Sequence, residues 1–463
     1  MSDLAWLSPD RDWNKGGQHR DATRCSPIFP VRVAAAANEP APKDAVARRG
    51  RARGMTVSPG PVAVPVRRCL IVLTAAAAWH PLAATALFEL LRRRPTLVAH
   101  ATAALVQLVV DHAPDDVAAA VDSALPRYST ELLWAATALA RRLYDTLPAT
   151  AGPAQRAHRL DNLGLRLSAL GRREDALTAS TQAVEICRRL AADDGAAFEP
   201  DLACALTHVG IRLSALGRWE DAVMATTEAI GIYRRLAATN RTAFEPDLAR
   251  SLNNLSVMLS DLGLQRDALA ASNQAVEIRR RLAATNRTVF EPGLAMALSN
   301  LSVVLSNLGQ QQDALAASTQ AVEVYRRLAT TTPTAFEPDL ARALTNLGAD
   351  LSDLGLLPDA LAATTQAVEI RRRLAAAHPA AFEPDLARGL WVFARVRAAG
   401  QVELAQALTA GRESVALFEE LFRQWPRVFT ADLRGARATV ADLLADPDRG
   451  QDSDIVRRSV DAL

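Results

Sequence analysis

Lysine is nearly missing from this chain. Of 463 residues only Lys15 and Lys43 are lysines, so arginine carries almost all the positive charge. Neither lysine follows a glycine, which removes the Gly-Lys-Ser/Thr loop that cradles phosphates. Aromatic residues are only 5% of the chain, a poor supply for β-sheets, whereas the abundant alanine and leucine favour helices. The four cysteines, Cys25, Cys69, Cys187 and Cys204, are scattered with no C-x-x-C spacing. They define neither a disulfide framework nor a zinc site, and a reducing, cytoplasmic compartment is expected. No apolar run reaches the roughly 18 residues of a membrane span, so no membrane partner is expected. Arg67-Arg68 ahead of the apolar run Cys69–Trp79, with Met55 upstream, imitates a signal peptide. No small-residue cleavage site closes that run, and it reads as the first helix of the folded part. The formal net charge of +2 supplies no global field for nucleic acid, and no nucleic-acid partner is expected. H-E-x-x-H and G-x-S-x-G are absent, and the seven histidines (19, 80, 100, 112, 158, 208 and 378) are dispersed. No catalytic residue, cofactor or metal ligand is assigned, and the chain does not read as an enzyme.

What is present is organised in blocks. Residues 1–66 hold eight prolines and the patch ARRGRARG at Ala47–Gly54, without lasting periodicity, and are expected to be disordered. The basic patch reads as a solvated tail in preference to an RNA-binding arm. Residues 67–147 turn helical, with prolines 81, 95 and 114 placed where helices can begin. Helices are predicted near 68–79, 81–93, 96–112, 115–124 and 129–147, forming a small helical domain. Pro148 to Pro153 ends it.

From Ala154 a 46-residue period takes over. Phe-Glu-Pro-Asp-Leu-Ala begins at Phe198, Phe244, Phe336 and Phe382, and FEPGLA at Phe290. Each unit is predicted to open a first helix at Glu-Pro-Asp, turn on Leu-Gly (as at Leu262-Gly263), and run a second helix into Arg-Arg-Leu-Ala. Asp175, Asp221, Asp267, Asp313 and Asp359 recur at the start of the second helices, where they suit helix N-termini better than a unique catalytic role. Glu and Arg four apart on the outer face (Glu185/Arg189, Glu277/Arg281, Glu323/Arg327, Glu369/Arg373) are expected to pair. The array is placed at 154–427, about six units with the sixth degenerate. A capping helix is expected at 428–445 and a tail at 446–463.

Leu252, Leu255, Ser256 and Leu259, followed by Ala268 and Ala275, set a spacing that recurs at Leu344, Leu347, Gly348, Leu351, Ala360 and Ala367. This pattern resembles the tetratricopeptide repeat in its long-unit form, as in kinesin light chains and actinobacterial signalling arrays. The unit exceeds the roughly 34-residue standard, and the extra length is assigned to the second helix and the loop before Phe-Glu-Pro. The resemblance implies an all-α fold, an α-α superhelical solenoid whose first helices line a concave surface. Asn162, Asn254, Asn300 and Asn346 occupy one position of that helix, with His208 in the second unit. An amide there can pair with both N–H and C=O of an extended peptide. Arg250 and Arg342 would add charge to the groove. The amides are expected to face water when no ligand is bound. His208 is expected to be a groove or surface residue and not a metal ligand, with no second ligand expected one turn away.

The resemblance implies a non-catalytic scaffold binding a protein or peptide partner in its concave groove. The alternative is the sensor arm of a bacterial signalling ATPase or protease-like effector whose catalytic domain lies outside this chain.

Overall fold

The computed structural model describes residues 66–125, 132–377 and 379–445. The expected disordered segment and the expected tail therefore lie outside the described residues, apart from Val66. Five helices come first: α1 (Val66–Trp79), α2 (Pro81–Arg93), α3 (Ala103–His112), α4 (Asp115–Ala124) and α5 (Leu133–Asp145). They close around one apolar core that includes Leu87, Leu91, Leu105, Val109, Val121 and Leu139. The helix expected over 96–112 is broken. Pro95–His100 forms a 3-10 turn, Ala101 is extended, and the Thr102 hydroxyl caps α3 by accepting from the Leu105 N–H at 3.4 Å. The cap satisfies an otherwise orphaned donor, which favours a fresh start over a continuous helix. Arg142 on α5 donates to the carbonyls of Val109 and Val110 at 2.7 Å and of Ala113 at 2.6 Å. A cation thus sits on the carbonyl end of α3, where the helix dipole favours it.

Thirteen helices follow: α6 (Pro153–Ala169), α7 (Arg173–Asp193), α8 (Gly195–Ala215), α9 (Trp219–Thr239), α10 (Arg241–Asp261), α11 (Gln265–Thr285), α12 (Arg287–Asn307), α13 (Gln311–Thr331), α14 (Pro333–Asp353), α15 (Leu357–Ala377), α16 (Pro379–Ala399), α17 (Leu404–Gln424) and α18 (Pro426–Leu444). Each packs on the next in chain order, and the first helices of successive units also touch: α8 with α10, α10 with α12, α12 with α14 and α14 with α16. That crowding puts the first helices on the inside of the curve. The core is a ribbon of linked clusters, as expected when each unit buries its apolar face against its neighbours.

The first helix of a unit starts earlier than Glu-Pro-Asp suggests. In α8, α10 and α12 the caps are Asp194, Asn240 and Asn286, each accepting from the backbone N–H three residues on. Pro200, Pro246 and Pro292 therefore lie inside their helices. The added length is shared between the two helices instead of going into the loop, and α10 and α11 are both 21 residues long. An interior proline costs about 3 kcal/mol relative to alanine. Tertiary bonds offset it here: Glu245 accepts from Arg281 across the hairpin at 2.8 Å, and Arg279 donates to the Pro246 carbonyl at 3.1 Å. Of the expected outer-face pairs, Glu277–Arg281 closes at 2.7 Å. Arg327 and Arg373 reach instead to Glu291 and Glu337 across their hairpins.

The Leu-Gly turns behave as predicted. Gly171, Gly217, Gly263, Gly309 and Gly355 all adopt positive φ, between 69° and 77°. This is the left-handed residue that ends a helix, and glycine takes it without a Cβ penalty. In the worn sixth unit Gln401 (φ 53°) and Glu403 (φ 49°) take the left-handed region instead. Just inside each turn the hairpin crosses closely. Ala176, Ala222, Ala268, Ala314 and Ala360 are fully buried, and a Cβ on Gly164 would lie 2.5 Å from Ser180 Oγ. At the far end Trp391, Phe418 and Phe429 seal the ribbon under α18.

Among the described residues one helix, α12, is long and apolar enough to cross a membrane by length and composition. It packs between α11 and α13, and 67% of its apolar window is buried there.

Candidate functional site

On α10 the residues Asp247, Arg250, Asn254, Val257 and Asp261 are spaced three and four apart, so they share one face of the helix. The equivalent face of α12 carries Gly293, Met296, Asn300, Val303 and Asn307, and that of α14 carries Asp339, Arg342, Asn346, Ala349 and Asp353. Since first helices touch first helices, these faces run side by side along the inner surface. The half of the face nearer the Leu-Gly turns is open: Val257 is 41% exposed and Val303 40%, and Asp261, Asn307 and Asp353 are also exposed. The other half is closed by packing.

The amide row lies at the boundary and does not simply face water. Asn162 Nδ2 donates to Asp122 Oδ2 at 2.5 Å, Asn300 Nδ2 to Asn253 Oδ1 at 3.1 Å, and Asn346 Nδ2 to the Ser299 carbonyl at 3.1 Å. Within the array each acceptor sits one position before the row in the preceding unit, so the row stitches unit to unit. Asn254 breaks the pattern. The acceptor position in the preceding unit is Thr207, which bonds the Ala203 carbonyl at 2.9 Å and Ser251 Oγ at 3.1 Å. Asn254 is 5% exposed, and its Nδ2 is buried without a hydrogen-bond partner.

The expectation for His208 is corrected on two counts. It is buried, and two polar groups flank it: Nδ1 lies 2.7 Å from Asp161, and Nε2 lies 3.8 Å from Cys204 Sγ one turn earlier. Burial, with the charges of Arg212 and Arg250, holds its imidazole below the ordinary value despite Asp161. Among the described residues no group of three or more His, Cys, Asp or Glu side chains is placed to hold a metal ion.

The two arginines differ from expectation in degree. Arg250 is buried and pairs with Asp247 at 2.8 Å. Arg342 is half-buried, donating to Asn300 Oδ1 at 3.1 Å and to Asp339 at 2.9 Å. Burial works against its charge, yet Asp339 and Tyr325 hold the guanidinium above its usual range.

A second row went unread in the sequence. Cys187, Tyr233, Arg279, Tyr325 and Arg371 hold one position of the second helices and are all buried. Burial lowers Arg279 and Arg371 to about 10 each. Gly293 makes room for Arg279, since a Cβ there would lie 2.9 Å from its Nη1. The available signal was the Tyr/Arg alternation inside an otherwise copied Ile/Val-x-Arg-Arg-Leu segment.

The curve also brings distant units together. The Arg173 guanidinium at the start of α7 lies 4.1 Å over the Trp425 ring before α18, a cation–π contact from the first unit to the last helix. Asp261, although exposed, is raised to about 6, chiefly by desolvation, with Arg388 and Asp432 of α16 and α18 within electrostatic reach. The inner surface is thus walled on several sides.

The profile of the tetratricopeptide repeat matches residues 156–195, 248–285, 294–329 and 340–380. No curated protein sequence matches the chain. Among solved structures, a Rap protein complexed with Competence and Sporulation Factor is 14% identical, with TM-score 0.51, over 86% of this chain and 97% of that one. The apo quorum sensor NprR from B. thuringiensis is 13% identical, with TM-score 0.48, over 86% and 97%. BtubC from P. vanneervenii is 19% identical, with TM-score 0.40, over 58% and 93%. The first of these supports the fold: a superhelix of helical hairpins.

Proposed function

We propose that this chain, a tetratricopeptide-repeat protein, is a non-catalytic scaffold that holds an extended peptide or protein segment along its inner surface. The observation that carries the reading is the buried, partnerless Nδ2 of Asn254 beside the exposed Val257 and Val303. A buried donor left unsatisfied costs about 1–3 kcal/mol. A ligand carbonyl that reached it would recover that cost, while an apolar ligand side chain covered the two valines. The exposed Asp261 and Asp353 at the turn end suit a cationic group on the same ligand. Backbone pairing by an amide tolerates many sequences, and the valines and acids would set the preference.

The test is hydrogen exchange on the intact chain, with and without a peptide selected against it from a random library. Protection is expected on α8, α10 and α12. Protection confined to the second helices α9, α11 and α13 would sink the reading.

A further inference from the structure

We infer that Cys204 is an activated thiol, forming with His208 and Asp161 a site for covalent modification by a carbon electrophile. All three residues stand where the first two units depart from their later copies. The Cys204 position is Arg250, Met296, Arg342 and Arg388 in later units; the His208 position is Asn254, Asn300 and Asn346; the Asp161 position is Thr207, Asn253, Ser299 and Thr345. In an array copied so closely, three departures that converge on one point are a constellation.

The geometry orders their roles. Both Asp161 oxygens lie 2.7 Å from His208 Nδ1, and a carboxylate only accepts, so Nδ1 carries the hydrogen. Nε2 then presents its lone pair to Cys204 Sγ at 3.8 Å, and the thiol donates. A nucleophile beside a base that a third group orients is the arrangement that activates a weak nucleophile. Arg212, itself buried, donates to the His208 carbonyl at 3.0 Å and is within electrostatic reach of Cys204. Its positive charge favours negative charge developing on the sulfur. Cys204 is buried at 9% exposure, and the neighbouring Asp161 side chain is 25% exposed, so a small reagent would approach past Asp161.

With iodoacetamide as the probe, Sγ attacks the carbon bearing iodine. The S–C bond forms, the C–I bond breaks, and iodide leaves with the electron pair. The thiol proton passes to His208 Nε2 and then to water. No oxidant or reductant is needed.

The test is iodoacetamide labelling of the folded chain at neutral pH, with rates read peptide by peptide in a mass spectrometer. Cys204 should react about tenfold or more faster than the exposed Cys69, in line with general-base assistance. Asp161→Asn and His208→Asn each install a residue that another unit carries at that position. Each should slow Cys204 about tenfold or more and leave both the Cys69 rate and the far-UV circular dichroism of the folded chain unchanged. Should one variant melt early, the other decides. A Cys204 rate at or below that of Cys69, or rates indifferent to both variants, would overturn the inference.

Discussion

Replacing Asn346 by alanine should weaken the array, whereas the same change at Asn254 should not, although both residues hold the same position of the repeat. The Asn346 amide donates to the Ser299 carbonyl at 3.1 Å and lies 3.2 Å from the Ser299 hydroxyl, which is buried. Truncation leaves those acceptors without their donor, a loss of about 1–3 kcal/mol. At Asn254 truncation removes a donor that is already unsatisfied. That relief is opposed by a void of roughly 25 Å³, worth about 0.6 kcal/mol. The net change at Asn254 is neutral to mildly stabilising. The assay is the urea midpoint followed by far-UV circular dichroism, compared only where the slope is unchanged, because the slope reports the surface exposed. The reasoning is refuted if Asn254→Ala lowers the midpoint as far as Asn346→Ala does, for then the inner row would be uniform.

Ala268→Leu should be more damaging than either. Ala268 is fully buried in the hairpin crossing, and overpacking costs about 1–3 kcal/mol or more, readable as a lower midpoint with loss of soluble protein. Asp350→Asn should stabilise increasingly as pH rises above about 4, with the full gain reached above about 7. Burial raises the Asp350 carboxyl to about 7, so the native state binds a proton that the unfolded chain releases above about 4. Stability therefore falls as pH rises from about 4 to about 7, and the variant escapes that fall. Its melting temperature should exceed the wild type's at pH 8 and equal it near pH 4.

Much of the fold was legible because the sequence repeats itself. Ala268 and its copies announced close helix crossings, and Leu262-Gly263 announced a left-handed stop; both are local statements that packing had no reason to override. The start of the first helix is not legible locally, because Pro246 suits the first turn of a helix yet lies inside α10. The bonds that let it sit deeper, from Arg281 to Glu245 and from Arg279 to the Pro246 carbonyl, join residues far apart in sequence. Spacing told which face of α10 Asn254 occupies, but not how deep it lies. Depth depends on how tightly the first helices crowd as the array curves. The same limit hid the Arg173–Trp425 contact and the pairing of His208 with Asp161 of another unit. Cys204 lies one turn from His208 in the sequence, but Asp161, which completes the group, comes from another unit and only the fold brings it in.

The claim that the inner surface is the binding surface is tested most directly by the affinity of one selected extended peptide for three proteins: the wild type, Asn254→Ala and Glu277→Ala. Glu277 is 72% exposed on a second helix, where an ion pair contributes little. Asn254→Ala should weaken binding roughly 5- to 150-fold, the equivalent of about 1–3 kcal/mol, while Glu277→Ala leaves it unchanged. Full affinity in the Asn254 variant with loss in the Glu277 variant would place the ligand on the outer face and contradict the account.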